Sequence, residues 1–304
     1  MELSYLALLA ALNAAVCQTA TDLGSKAATR EADDRAILLA QWGLSAIVLS
    51  VVTLIIYPEL YAAPARVWPE LVKPGFWPLL FWDSAINILA YLFYLRAFRL
   101  ADASLVAPLT LLTPVLMLIT SPIMLGEQIP PLGMAGVIFT VLGVGLLDAG
   151  KTNHASDRRR LNFRLFIVDP GARAMTATAA LWSIGANVDK LGVRASAPLI
   201  WIASVTICIA LFSLIYWLAG PRRPVTAYAL RHAFLAGASM SIGNTVQMWA
   251  LTVLFAPYVI AIKRLSALFT VLASGRFLQE ETGDRLVGVG VMLIGAVLIA
   301  LARG

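Results

Sequence analysis

The chain has 304 residues, of which 60% are hydrophobic and 13% charged, and its mean hydropathy is +0.82. An average soluble domain carries about 25% charge, so this composition excludes a soluble enzyme, a disordered chain and a nucleic-acid-binding domain. The net charge of +6 arises from basic residues set between apolar runs, which is the pattern of membrane topology.

A membrane helix needs about 20 predominantly apolar residues. Ten stretches qualify, at 3–24, 36–57, 76–95, 103–125, 131–149, 174–190, 198–219, 229–252, 256–275 and 285–302. They predict an all-α polytopic membrane protein. The first run has Glu2 as its only early charge, so it reads as a retained helix rather than a secretory signal peptide. Cys17 and Cys208 lie inside apolar runs and read as small packing residues. The connection 58–75 carries Pro58, Pro64, Trp68, Pro69 and Pro74, with Trp77 just beyond. Its tryptophans suit a membrane–water interface. The connection 150–173 is basic, with Lys151, Arg158, Arg159, Arg160, Arg164 and Arg173. It divides the chain into a first half (1–149) and a second half (174–304).

Residues 145–152, GLLDAGKT, satisfy a phosphate-loop pattern literally. Such a loop needs a preceding strand and an α/β domain, and this match closes a membrane helix instead. The spans hold no Asp-rich metal motif, no His-Glu-x-x-His and no paired Ser–His. No enzyme activity, cofactor, metal or nucleic-acid partner is expected.

The two halves repeat. Residues 97–127 (AFRLADASLVAPLTLLTPVLMLITSPIMLGE) align without a gap on 250–280 (ALTVLFAPYVIAIKRLSALFTVLASGRFLQE) at an offset of 153. Ala97 falls on Ala250, Thr113 on Ser266 and Glu127 on Glu280. At an offset of 164, Thr19 falls on Ser183 and Lys26 on Lys190. Five helices per half is an odd number, so the second copy enters the membrane inverted. Inverted repeats place a binding site near the midplane between the halves and work by rocking one half against the other.

TPVLMLITSPIMLGE (113–127), GVIFTVLGVGLL (136–147), ALWSIGANVDK (180–190) and ALFTVLASGRFLQEE (267–281) resemble the EamA family of the drug/metabolite transporter superfamily. The resemblance implies ten membrane helices and export or exchange of small metabolites, amino acids, or nucleotide- or lipid-linked sugars. Departures from the pattern are Gln18 where the first repeat would carry Trp, Ser183 for Gly, and Ala267 opposite Pro114. Lys263 and Arg264 stand opposite Thr110 and Leu111.

An ionisable group at the centre of a span costs about 2.5–3.5 kcal/mol and is a functional hypothesis by default. Lys263 and Arg264 fall about a third of the way across helix 9. Adjacent helical residues point about 100° apart, so both are not expected to face one cavity squarely. Two readings stand: binding of an anionic carboxylate or phosphate, or snorkelling and internal pairing. Helix 3 carries Asp83, Asn87, Tyr91 and Tyr94 on one face, and helix 8 carries Ser241, Asn244 and Gln247. Tyr91 matches Asn244 and Tyr94 matches Gln247 under the repeat. This fits a shared polar cavity, or hydrogen bonds that glue the bundle. Asp83 is the expected counter-ion for Lys263 or Arg264, and the expected place for proton coupling. Thr19, Asp22, Lys26 and Ser183, Asn187, Lys190 each hold one face of helices 1 and 6. The substrate-binding set is therefore Lys263, Arg264, Asp83, Asn87, Tyr91, Tyr94, Asn244, Gln247 and Asn187.

Lys26 and Lys190 lie at helix ends and read as solvated interfacial lysines. Glu127 and Glu280 end helices 4 and 9 and read as structural. Gly133, Gly136, Gly143, Gly145, Gly288 and Gly295 allow close helix approach within the chain or in a homodimer. Pro108, Pro114 and Pro122 interrupt helix 4. The connections after helices 1, 3, 5, 7 and 9 hold 16 Lys/Arg against 5 on the other face, so the positive-inside rule puts both termini outside. The resemblance implies the opposite orientation. Three functions follow, in order: a secondary transporter of a small anionic metabolite in the cell membrane; a flippase for a lipid-linked, phosphate-containing headgroup; a non-transporting membrane interaction protein.

Overall fold

The computed structural model describes residues 2–62, 64–128, 130–148, 169–221 and 224–279, together with 290, 291, 294, 295, 297, 298, 301 and 302. Most of the basic linker, Glu280 and most of the span expected at 285–302 lie outside these. Every element among the described residues is helical. In chain order they are α1 (Glu2–Ala28), α2 (Asp34–Ile56), α3 (Glu59–Ala62), α4 (Pro64–Leu71), α5 (Phe76–Leu100), α6 (Ala103–Leu109) and α7 (Leu112–Leu125). There follow α8 (Pro131–Asp148), α9 (Pro170–Ala195), α10 (Pro198–Leu218), α11 (Ala227–Val253), α12 (Ala256–Lys263) and α13 (Ser266–Phe277).

Six helical stretches among the described residues are long and apolar enough to cross a membrane: Tyr5–Ala28, Asp34–Ile56, Phe76–Leu100, Ala103–Leu125, Pro198–Leu218 and Ala256–Phe277. Pro131–Gly143 is a shorter apolar helix. α9 and α11 have 26 and 27 residues, so they have the length but not the apolarity. They carry Asp189, Lys190, Arg194 and Arg231, and they lie against other helices over much of their surface. The expected segment 58–75 folds into the short α3 and α4, with Trp68 packed against Trp77 at 6.0 Å.

Side chains are distributed inside out. Leu9, Ile47, Ile55, Phe81, Ile123 and Ile215 are exposed, whereas Asp22, Gln41, Asp83, Asn187, Lys263 and Arg264 are buried. An apolar exterior of this extent is what lipid contact requires. Helix starts are fixed locally. Asp33, Asp169 and Thr226 accept backbone N–H bonds from Ala36, Ala172 and Ala229 at the heads of α2, α9 and α11. Each such cap is worth about 1 kcal/mol.

Helix pairing is reciprocal between the halves. α1 lies along α11 and α9 lies along α5, while α2 packs on α10. α1 meets α12 and α13, and α9 meets α7 and α6. α6 packs on α13 and α7 on α12. That antiparallel pairing sets the two helix breaks, at Thr110–Leu111 and Arg264–Leu265, side by side. Pro114 explains the first, because it has no N–H to return to Thr110. The second has no proline near it and is a sharper finding. There the N–H groups of Leu265, Ala267 and Leu268 bond to the carbonyls of Ile262, Arg264 and Leu265 at 3.0 Å each, three residues back instead of four.

Small residues set the closest approaches. A Cβ on Gly24 of α1 would lie 2.8 Å from the His232 carbonyl oxygen, and one on Gly295 would lie 2.6 Å from that of Gly136. The latter contact is within one chain, so Gly295 serves intramolecular packing. Gly24→Leu is expected to force α1 from α11 at a cost of about 1–3 kcal/mol. A lowered melting temperature in detergent, beside an unchanged Gly43→Ala control, would show it. A Cβ on Gly43 meets only the tip of Leu39 at 3.8 Å.

Candidate functional site

The break between α12 and α13 decides the geometry at the centre. Lys263 is the last residue of α12 and Arg264 opens the turn. Their side chains are buried, at 8% and 3% exposure. Both line one central cavity of about 50 Å³, together with Gln18, Trp42, Asn87, Tyr91, Trp182, Asp189, Asn244 and Gln247. Lining a common cavity from adjacent positions agrees with the expectation that the two do not both face it squarely.

Lys263 Nζ donates to Asn244 Oδ1 at 3.2 Å and to Gln247 Oε1 at 2.6 Å. These amide oxygens satisfy the ammonium without neutralising it. The Arg264 guanidinium lies over the Trp182 ring at 4.5 Å, and its Nε has no hydrogen-bond partner. Among the described residues neither cation forms an ion pair. Aromatic rings close the cavity opposite: Tyr91 meets Trp42 edge-on at 4.7 Å and Trp182 at 5.6 Å.

Six residues of the expected set, Lys263, Arg264, Asn87, Tyr91, Asn244 and Gln247, thus meet at one place. Three do not line the cavity. Tyr94 turns to α1 and donates to Asp22 Oδ1 at 2.6 Å. Asn187 binds α9 to α7, accepting from Ser121 Oγ at 2.6 Å and donating to Thr120 Oγ1 at 2.8 Å. Asp83 is fully buried and takes a bond from Asn87 Nδ2 at 3.0 Å. It is not the counter-ion of Lys263 or Arg264, because it faces α9 beside Gly185 instead of the break. Asp22, behind the cavity, is held by Gln18 Nε2 at 2.8 Å and Thr270 Oγ1 at 3.2 Å as well as by Tyr94.

Sequence reasoning missed Asp189, Gln18, Trp42 and Trp182 as cavity residues. Gln18 and Trp182 are equivalent under the 164-residue offset, which could have found them. Asp189 gives no such signal, since its orientation is set by Trp201 Nε1, which donates to its Oδ1 at 2.8 Å.

The expectation of a solvated Lys190 is corrected. It is 7% exposed, pairs with Glu127 at 2.6 Å and donates to the Leu254 carbonyl at 2.6 Å. Glu127 also accepts from the Ala256 N–H at 3.2 Å, at the head of α12. One ion pair therefore clasps the residue just past α7, the C-terminal part of α9 and the start of α12. It borders a vestibule of about 680 Å³ that Tyr5, Arg194, Phe255 and Tyr258 also line. At the equivalent place in the first half, Lys26 donates to the carbonyls of Phe98 (2.9 Å) and Ala101 (2.7 Å).

The comparisons with known proteins agree with this architecture. Residues 5–147 match the model of the EamA-like transporter family, part of the drug/metabolite transporter superfamily, and over this stretch the chain is similar to that family. A protein of known crystal structure superposes with a TM-score of 0.73 at 16% identity, over 97% of this chain and 96% of its own. That likeness shows a shared fold. No curated protein matches. The family match and the apolar helices together support a multi-pass integral membrane protein, and the family it resembles is one of transporters.

Glu127→Gln would strand the Lys190 ammonium in a buried site, which costs about 3–5 kcal/mol. The expected result is a clear drop in melting temperature in detergent. Adding Lys190→Met, which removes the stranded charge, should restore most of it. Equal melting of all three proteins would show that the pair carries no stability.

Proposed function

We propose that the chain is a secondary active transporter that moves a small anionic metabolite across the cell membrane by alternating access. Ten membrane helices in two inverted five-helix repeats provide the frame. The reciprocal pairing of α1 with α11 and α9 with α5 supports that frame, as do the two breaks set side by side. The observation that carries the anion reading is the pair of buried, unpaired cations at the α12–α13 break. Each ion would cost several kcal/mol of desolvation if it served packing alone. An arriving carboxylate or phosphate would supply the missing charge and the missing acceptor for Arg264 Nε.

Substrate-binding roles follow from position. Lys263 and Arg264 hold the anionic group. Asn244 and Gln247 fix the lysine from α11, and Asn87 and Tyr91 present an amide and a hydroxyl from α5. Trp182 holds the guanidinium flat. A cavity of about 50 Å³ has room for water rather than a metabolite, whereas ligand pockets span about 300–1,000 Å³. Substrate therefore enters with the helices around the break moved apart, and the vestibule near Lys190, the sequence neighbour of Asp189, is the open volume it enters from.

Proteoliposomes loaded with inorganic phosphate, a short dicarboxylate, a neutral sugar or a cationic amine test this. Counterflow of an anion alone is expected. A charge-assisted hydrogen bond is worth about 1.5–3 kcal/mol. Lys263→Gln and Arg264→Gln should therefore each slow anion counterflow by roughly 10- to 150-fold. Movement of the neutral or cationic solute alone, untouched by both variants, would overturn the anion reading.

A further inference from the structure

The outer side of α11 carries a feature that stands apart from the cavity. Ala227, Leu230, Arg231, Phe234, Leu235 and Ala238 recur at steps of three and four and form one face of that helix. With Leu44 of α2 they line a shallow groove of about 540 Å³. Leu230, Phe234 and Leu235 are exposed, and Arg231 is exposed in the same row. Among the described residues Arg231 makes no hydrogen bond, ion pair or ring contact. Other cations near this end of the bundle are engaged: Arg35 lies over the Tyr216 ring at 4.6 Å, and Arg99 binds Asp34 at 2.5 Å.

The groove has the depth of one lipid leaflet. α2 and α11 begin at the same level, since Thr226 Oγ1 donates to Glu31 Oε2 at 2.5 Å between the two helix heads. Ala227 and Ala238 are eleven residues apart, which is about 16 Å along a helix. Half of a hydrocarbon core of about 30 Å is about 15 Å. At the inner end the two helices lock together. Ser45 Oγ donates to the Gly237 carbonyl at 3.0 Å, and a Cβ on Gly237 would lie 2.7 Å from the Gln41 carbonyl oxygen. A membrane-crossing helix of a partner would need a groove of twice this length, and it would bury Arg231 without a counter-charge. An acyl chain needs one leaflet's depth and no hydrogen bonds, and a phosphate supplies the acceptor that the guanidinium lacks. In sequence, Arg222 and Arg223 stand in the connection that enters α11. Basic segments beside a span are what attracts anionic lipid.

We propose that this groove binds an anionic phospholipid, with the phosphate on Arg231 and an acyl chain laid along Phe234, Leu235 and Leu44. The site is separate from the central cavity, since the two share no lining residue. It therefore stands whether or not the transport reading does. The lipid sits on the seam between α2 of the first half and α11 of the second, so a filled groove holds the halves together along that seam. A ligand that binds the folded chain alone stabilises it by mass action.

Melting of the purified full chain in detergent tests this, with phosphatidylglycerol added against phosphatidylcholine, and native mass spectrometry detects the lipid that stays bound. Phosphatidylglycerol is expected to raise the melting temperature by several degrees more than phosphatidylcholine, and to remain as a discrete adduct. Arg231→Gln should lose most of that difference. Ala238→Trp, which fills the inner end and leaves the charge in place, should lose it too. Arg276→Gln, which removes an exposed cation from the last turn of α13, should keep it. Where Arg231→Gln is not monodisperse, Ala238→Trp decides. Equal stabilisation by both lipids overturns the site, and so does a preference retained in Arg231→Gln and Ala238→Trp. A preference lost equally in Arg276→Gln overturns it as well, because that marks attraction to a charged surface without a groove. A lipid-independent dimer that Ala238→Trp dissociates overturns it in favour of a second copy of the chain on this face.

Discussion

Two positive charges held inside an apolar bundle constrain everything around them. A cation at the centre of a span is costly, and Lys263 and Arg264 place two in sequence. The surrounding structure spreads that cost. Both side chains reach the same polar volume beside the helix break, and α11 supplies two amide oxygens to the ammonium. Trp182 supplies a π face to the guanidinium. None of these partners carries a full negative charge. The break, the amides on α11 and the aromatic wall from α2, α5 and α9 are thus parts of one arrangement that solvates two cations without neutralising them.

Among the described residues the nearby carboxylates form no ion pair with those cations, and each is hydrogen-bonded to other groups. Asp22 spends its acceptors on Gln18, Tyr94 and Thr270. Asp189 is committed to Trp201 and Asp83 to Asn87. A bundle that needed only stability would have let these charges collapse into ion pairs, as it does for Lys190 with Glu127. Both outcomes occur in one fold within a turn or two of each other. On α9, Asp189 looks into the cavity, and Lys190, its neighbour, looks into the vestibule.

This contrast marks where the sequence stops being legible. Apolar runs, the shared offset of 153 and the polar stripes on α5 and α11 are local or periodic, and they read directly from composition and spacing. Asn87, Tyr91, Asn244 and Gln247 were found that way. The second break was hidden because its cause is not a proline but a few backbone bonds that shorten from four residues to three. Lys190 was misread because its partner lies 63 residues away at the end of α7, and a lysine at a helix end otherwise finds water. Asn187 and Tyr94 sit on the correct faces, yet each meets a closer partner before it can reach the cavity. Periodicity chooses the face of a helix, and only tertiary contact decides what that face meets.

The position of the Lys190 clasp gives the proposed alternating access a physical hinge point. It joins three segments: the end of α7, α9 and the start of α12, which itself leads to the break. Lys26 ties α1 to the end of α5 through two carbonyls at the equivalent place in the repeat. Parting the first clasp would free the start of α12 from α7 while the Lys26 tie still holds α1 against α5. Lys263 is at the far end of α12, only seven residues from Ala256, so any swing of that short helix moves the ammonium directly. A long unbroken helix would spread such a motion along its whole length. In the proposed cycle, two short rods joined at Arg264 and Leu265 would confine it to the half that faces the vestibule, so that one end of the cavity could open while the other stayed shut.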